Sequence, residues 1–325
     1  MTTLLIKEIA MKNTTAFVRS YEFKHIASDF TAYFGNNEDG AIELVASPSN
    51  HPEHIFESAY YYGQGKAKPI VDISVMVGCV AKCNFCELGR NPYVRKLTSD
   101  EIFEQVVLIL LRASQFSNIE QMHKVSLGKS GEPLLNPNTV CGLRKIGAFD
   151  FSFKVSTVFP RGNKAKNVFN EIMEFAVRYE QPVQLQVSLI STSEDYRTQA
   201  TGIGASFAEI RQGLEQWIDS NPQPKGRKPN LSLILTKDTP ADPRELRKVI
   251  SPELANVRLR PYIETSNGVN VGLQLISEQR FADLVRQFKD CGYATSVAGI
   301  PTPIERKFRL SSNSTLERYR KQTQI

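Results

Sequence analysis

The feature that most constrains this chain is an alternation. From residue 70 onward, short apolar runs take turns with stretches of helical period. The runs are IVDISVMV (70–77), KVSLG (124–128), FSFKVST (151–157), VQLQVSL (183–189), NLSLILT (230–236), VRLRPYI (257–263) and YATSVAG (293–299). The helical stretches include 98–116, 166–180, 207–220 and 277–291. Thr98 and Glu101 have capping-box spacing, and Gly292 reads as the stop of the last helix. Such alternation asks for parallel strands joined by crossover helices. The spacing predicts an α/β fold, a partial or full (β/α) TIM-like barrel of parallel strands over residues 70–300, followed by a basic tail at 301–325. Residues 1–69 read differently. AFVRSYEFKH, DFTAYFG and AIELVAS predict short strands around the turn NNEDG, a small β-rich N-terminal extension, with YYYGQGKAKP (60–69) as its connector.

Within the runs, one face is apolar and the other polar. Val125 and Leu127, Phe153 and Val155, Leu185 and Val187, and Val257 and Leu259 share the apolar face. Lys124 and Ser126, Lys154 and Ser156, Gln184, Gln186 and Ser188, and Arg258 and Arg260 share the other. A packed barrel usually carries apolar side chains on both faces. Here the apolar face predicts contact with helices, and the polar face predicts a wet, ligand-sized lumen. The plainer alternative at any one position is a solvated strand end.

Composition narrows the setting. A chain of 325 residues with 41% hydrophobic and 23% charged residues is that of an ordinary globular protein. No apolar run is long enough for a membrane span, and the start lacks the layout of a signal peptide, so the expectation is a cytoplasmic protein with no membrane partner. Five cysteines, an odd number, argue against a disulfide framework. The net charge of +6 is concentrated in part at the end, where Arg306, Lys307, Arg309, Arg318, Arg320 and Lys321 fall. That tail reads either as a solvated run or as a strip that attracts phosphates. LGKSGEP (127–133) contains Gly-Lys-Ser but lacks the upstream glycine of a phosphate loop.

Three of the cysteines lie within VGCVAKCNFCELG (77–89): Cys79, Cys83 and Cys86. A structural zinc site takes four ligands, usually in two pairs, and His123, Cys141 and Cys291 form no second pair. Three inert buried thiols at this spacing are a second reading. The third is an iron–sulfur cluster held by three thiolates with one iron left open. The position after the first barrel strand, where such folds place their chemistry, favours it. Phe85 precedes the last cysteine and could cover a cluster face. Cys141 and Cys291 are expected to pack helices as small hydrophobes, and the four histidines suggest no metal set.

Cys79-x3-Cys83-x2-Cys86 with an aromatic before the last cysteine resembles the signature of the radical S-adenosylmethionine (SAM) superfamily. The resemblance implies a 4Fe–4S cluster whose open iron chelates SAM. It also implies an electron donor such as flavodoxin or ferredoxin, and cleavage of SAM to a 5′-deoxyadenosyl radical. A narrower likeness covers roughly residues 70–300. VGCVAKCNFCELG, GEPLLN (131–136), KVSTV (154–158) and VSLISTSEDYR (187–197) follow in the order seen in the RlmN/Cfr-like branch, which methylates adenosine in ribosomal RNA. By that likeness Gly131 and Glu132 contact the SAM amino group, Ser156 a carboxylate or ribose, and Ser188, Leu189 and Ile190 the next ribose-side segment.

The departures carry weight too. That branch uses one further cysteine upstream of the cluster and another near the C-terminus that carries a methyl group. This sequence has neither, and Ile263 stands where the branch has an asparagine. The expectation is a radical SAM enzyme that abstracts hydrogen from an anionic small-molecule or nucleotide-like substrate. Lys154, Arg258 and Arg260, with Tyr262 and Glu264 beyond them, are its candidate contacts. The alternatives are an RNA-modifying enzyme working without the methyl-carrying cysteine, and a catalytically silent metal protein.

Overall fold

The structure is a computed structural model and describes residues 30–34, 41–48, 51, 53–61, 69–90, 92–113, 123–220 and 227–298. The run 16–25, the NNEDG turn and the basic tail lie outside these residues.

Ten strands form one sheet. Its first part is an antiparallel meander of β1 (Phe30–Phe34), β2 (Ala41–Pro48), β3 (Phe56–Tyr61) and β4 (Ile70–Ile73). From β4 the sheet continues in parallel through β7 (Lys124–Leu127), β8 (Ser152–Thr157), β9 (Val183–Ile190), β10 (Asn230–Leu235), β11 (Asn256–Pro261) and β12 (Thr295–Val297). The order is linear from β1 to β12, so among the described residues the barrel is partial and open between its edges. The N-terminal strands are continuous with the parallel sheet, so a single ladder runs through both.

The connections carry helices α1 (Ser99–Ala113), α2 (Thr139–Ile146), α3 (Asn163–Arg178), α4 (Glu194–Thr201), α5 (Phe207–Ser220), α6 (Pro243–Val249), α7 (Ser266–Asn270) and α8 (Glu278–Asp290), of which all but the short α4 and α7 pack into the core on the outer face. The capping box of α1 forms as expected: Thr98 N–H donates to Glu101 at 2.7 Å and Glu101 N–H to Thr98 Oγ1 at 3.2 Å. Gly292, at φ 90°, ends the stretch that carries α8. The apolar strand face meets these helices in one core that includes Val125, Val155, Leu185, Val187, Val257 and Leu259.

Two local expectations are corrected. Residues 70–77 do not make one strand. The side-chain amide of Gln105 takes both backbone groups of Ser74, accepting from its N–H at 2.9 Å and donating to its carbonyl at 3.0 Å. The ladder therefore stops at Ile73, and β5 (Met76–Val77) pairs instead with β6 (Arg95–Lys96) in an antiparallel ribbon. Tyr60 and Tyr61 do not open a connector; they are buried and end β3, opposite Val71 and Ile70.

Candidate active site

The three clustered thiols sit on the loop that leaves β5. Left-handed backbone shapes its start: Gly78 has φ 72°, and a Cβ there would lie 2.1 Å from the Pro92 carbonyl oxygen. Lys82 follows at φ 46°. Cys86 N–H donates to the Cys83 carbonyl at 3.2 Å, folding the x2 spacing into a turn. Cys79, Cys83, Phe85 and Cys86 then pack with Ala81, Val158 and Ile203 as one small cluster.

Elements far away in sequence brace this loop. Asn267, on α7, donates through Nδ2 to the carbonyls of Cys83 and Asn84, both at 3.0 Å. Thr265 Oγ1 donates to the Phe85 carbonyl at 3.2 Å, and Ser266 N–H to Glu87 at 2.8 Å. On the other side Asn84 N–H donates to the Ala200 carbonyl of α4 at 3.0 Å.

The residues present fit an iron–sulfur cluster. Burial pushes all three thiols up, Cys79 to about 12. Against that, backbone N–H groups of Ala81 and Gly131 favour the Cys79 thiolate, and those of Leu88 and Gly89 favour Cys86. The Arg197 guanidinium favours the anion at Cys83. Soft sulfur donors with N–H partners, in a site too buried for bare thiolates, suit a cation-rich iron cluster.

Glu132 and Arg197 support the same corner. The Glu132 carboxylate is buried and accepts from Thr157 Oγ1 at 2.5 Å, Leu134 N–H at 3.0 Å and Val158 N–H at 2.8 Å. Burial raises its pKa to about 7 despite these bonds. Arg197, 1% exposed, donates to the carbonyls of Val158, Ser188 (3.0 Å) and Ala205 (3.4 Å). The Val158 backbone thus links the two side chains, its N–H donating to Glu132 and its carbonyl accepting from Arg197. Gly131 has φ 107°, and a Cβ there would fall 2.7 Å from Met76.

Beside the thiols opens a cavity of about 410 Å³ inside the curved sheet. Phe85 and Cys86 line its upper end, and Lys124, Lys154, Ser156, Gln184, Gln186, Ser188, Arg258 and Arg260 its walls. The polar strand face therefore does line a lumen. Tyr262 joins it, with its hydroxyl accepting from Thr265 N–H at 3.1 Å.

Other expected residues lie elsewhere. Glu264 is exposed and absent from the lining, because the strand ends at Pro261 and its alternation ends with it; Ile263 and Thr265 line the cavity instead. Leu189 packs in the helix-side core and Ile190 is buried at φ 74°, so neither side chain reaches the cavity. Glu132 is likewise not part of the lining. Cys141 is exposed on α2 and does not pack as a small hydrophobe, whereas Cys291 does pack partly against the core at the end of α8. The histidines are less scattered than expected: His51 and His54 stack at 4.6 Å, and ligand atoms of His51, Glu53 and His54 lie within 4.8 Å of one another on an exposed stretch. Asn267, Thr265 and Arg197 were not singled out from sequence. Arg197 alone left a signal there, as an arginine closing the SEDYR stretch.

An open parallel barrel with a three-thiol loop at the mouth of its first parallel strand and a polar lumen beneath defines a class of architecture, and the chain is similar in it to a structure described as a radical SAM methyltransferase. That class of enzyme uses a 4Fe–4S cluster and SAM. More narrowly, the chain is similar to proteins named "Probable dual-specificity RNA methyltransferase RlmN". It is 27% identical to that of Carboxydothermus hydrogenoformans over 76% of this chain and 66% of the relative. With that of a Synechocystis strain it shares 28% identity over 66% of this chain and 62% of the relative. The Nostoc punctiforme protein is 30% identical over 62% and 53%. The chain thus spans between about half and two thirds of the length of these curated relatives. No family model matches it. Among solved structures, a radical SAM methyltransferase from Sphaerobacter thermophilus superposes with a TM-score of 0.67, covering 83% of this chain and 77% of that one at 19% identity, which establishes a shared fold. Among the described residues, no helix is long and apolar enough to cross a membrane.

Proposed function

We propose that the protein binds SAM at a 4Fe–4S cluster held by Cys79, Cys83 and Cys86, and acts on an anionic, nucleotide-like small molecule seated in the lumen. The observation that carries this reading is the continuity of the cavity, which runs from Cys86 down a wall bearing Lys154, Arg258 and Arg260. When bound, the cluster and SAM supply a one-electron cleavage that yields methionine and a 5′-deoxyadenosyl radical. The chain's own contribution is holding and excluding. Asn267 and Thr265 fix the cysteine loop by its carbonyls, Arg197 and Glu132 fix the ends of β8 and β9, and Phe85 screens the cavity's upper end. Ser156 and Ser188 offer hydroxyls to SAM from the wall, and Gly131 with Glu132 form the turn that would face its amino group. Lys154 and the two arginines would hold the substrate's anion, the arginines through paired hydrogen bonds.

Anaerobically reconstituted protein given SAM and dithionite is expected to release 5′-deoxyadenosine and methionine. A protein that carries the cluster and releases neither would refute the reading.

A second reading, RNA modification, is favoured by the relatives' names. Neither of the two remaining cysteines in this sequence lines the lumen, which argues for a route other than one through a methyl-carrying cysteine. Incubation with RNA and SAM followed by nucleoside mass analysis separates the two. A modified nucleoside selects RNA; unchanged RNA, together with no binding at low salt, selects the small molecule.

A further inference from the structure

The lumen is not uniformly basic. On β4 and β7, at and behind the wall nearest the antiparallel strands, two buried oxygens have no hydrogen-bond partner among the described residues. Asp72 lines the cavity, is 7% exposed, and its Oδ1 has no hydrogen-bond partner. Its register neighbour Ser126, fully buried, has an unpartnered Oγ. Leaving such groups unmatched costs free energy, and native proteins do so rarely.

Gly128, which also lines the cavity, packs directly against the two oxygens. A methyl group there would lie 2.8 Å from Asp72 Oδ1 and 3.2 Å from Ser126 Oγ. Its backbone is not left-handed, so conformation does not demand a glycine; clearance does. A carboxylate can only accept, and a neighbouring hydroxyl can accept as well. The matching group is an N–H donor, best a charged one, since an ion-assisted bond is stronger than a neutral one.

We propose that Asp72 on the cavity wall, backed by Ser126 and flanked by the side-chain-free Gly128, forms a subsite for an amino group of the substrate, while Lys154, Arg258 and Arg260 take its anion. The substrate then carries both charges, an amine and a phosphate or carboxylate. This deepens the proposed function and rests on its placing the substrate in the lumen.

The test uses reconstituted, cluster-loaded protein and calorimetric titration with two series of probes. These are aminoalkyl phosphates of two to four carbons and the alkyl phosphates of the same lengths. At its best length the amine-bearing probe is expected to bind at least about tenfold more tightly than its plain counterpart. Asp72→Asn should reduce that ratio to near one while leaving the alkyl phosphate's affinity in place. Gly128→Ala, which keeps the carboxylate and fills the clearance, should do the same and serves if the asparagine variant fails to fold. Equal binding of the two series by the native protein, a preference that survives both variants, or binding of neither series would overturn the subsite. Release of 5′-deoxyadenosine by the same preparation reports separately on the proposed function, so the two can fail independently.

Discussion

The parallel strands present two faces built from the same residues in alternation, and they do opposite work. Outward, Val155, Leu185, Val187 and Leu259 are fully buried in the core shared with the helices. Inward, Lys154, Ser156, Gln186 and Arg258 line a cavity. The cysteines divide in a similar way. Cys86 borders the cavity, Cys79 and Cys83 pack beside it, and Cys141 and Cys291 sit on the helices outside. Position in the fold, more than residue type, separates thiols that can share a cluster from thiols that only fill or decorate a surface.

The sharpest way to break that comparison is to exchange one thiol from each class. Cys79→Ala should remove the bound iron and reduce SAM cleavage to background, read by iron content and by 5′-deoxyadenosine release. Cys141→Ser is its control, with stability within about 0.5 kcal/mol of the native chain, because an exposed side chain away from special features changes little.

Next in size is Arg197→Met. It removes a buried cation and leaves the carbonyls of Val158, Ser188 and Ala205 without their donor, so a loss of about 3–5 kcal/mol is expected in chemical denaturation. The strand faces give a matched pair. Leu185→Ala, on the packed face, should cost about 2–5 kcal/mol. Gln186→Ala, one residue on and facing the cavity, should cost less than about 1 kcal/mol. Equal costs would mean that the lumen is a packed core after all.

A pH dependence follows in protein free of cluster. Burial raises Glu132 from its ordinary 4.5 to about 7, so the folded state holds this proton more tightly than the unfolded chain. The group's penalty is absent below about 4.5 and grows as pH rises toward 7, by on the order of 3 kcal/mol. Glu132→Gln should flatten the fall in stability across that window, measured by denaturation at a series of pH values. An unchanged slope would move the titration to another group.

Much of this was legible in the sequence. The two-residue alternation in KVSLG, VQLQVSL and VRLRPYI separates lumen from core, because a strand sends successive side chains to opposite faces. The period of 207–220 and of 277–291, the latter closed by Gly292, marks helices that form at or within one residue of those limits. What the sequence hid depends on partners distant along the chain. Nothing local to Ser74 says that Gln105 will break its strand. Nothing local to Asn267 says that it will hold a cysteine loop 183 or 184 residues away. Asp72 reads as an ordinary polar residue in an apolar run until Ser126 and Gly128 are beside it.

The central claim is tested most directly by electron paramagnetic resonance on anaerobically reconstituted, dithionite-reduced protein, with iron counted in the same sample. About four irons per chain and a cluster signal that changes shape when SAM is added are predicted. Zinc in place of iron, or a cluster signal indifferent to SAM, would contradict the account.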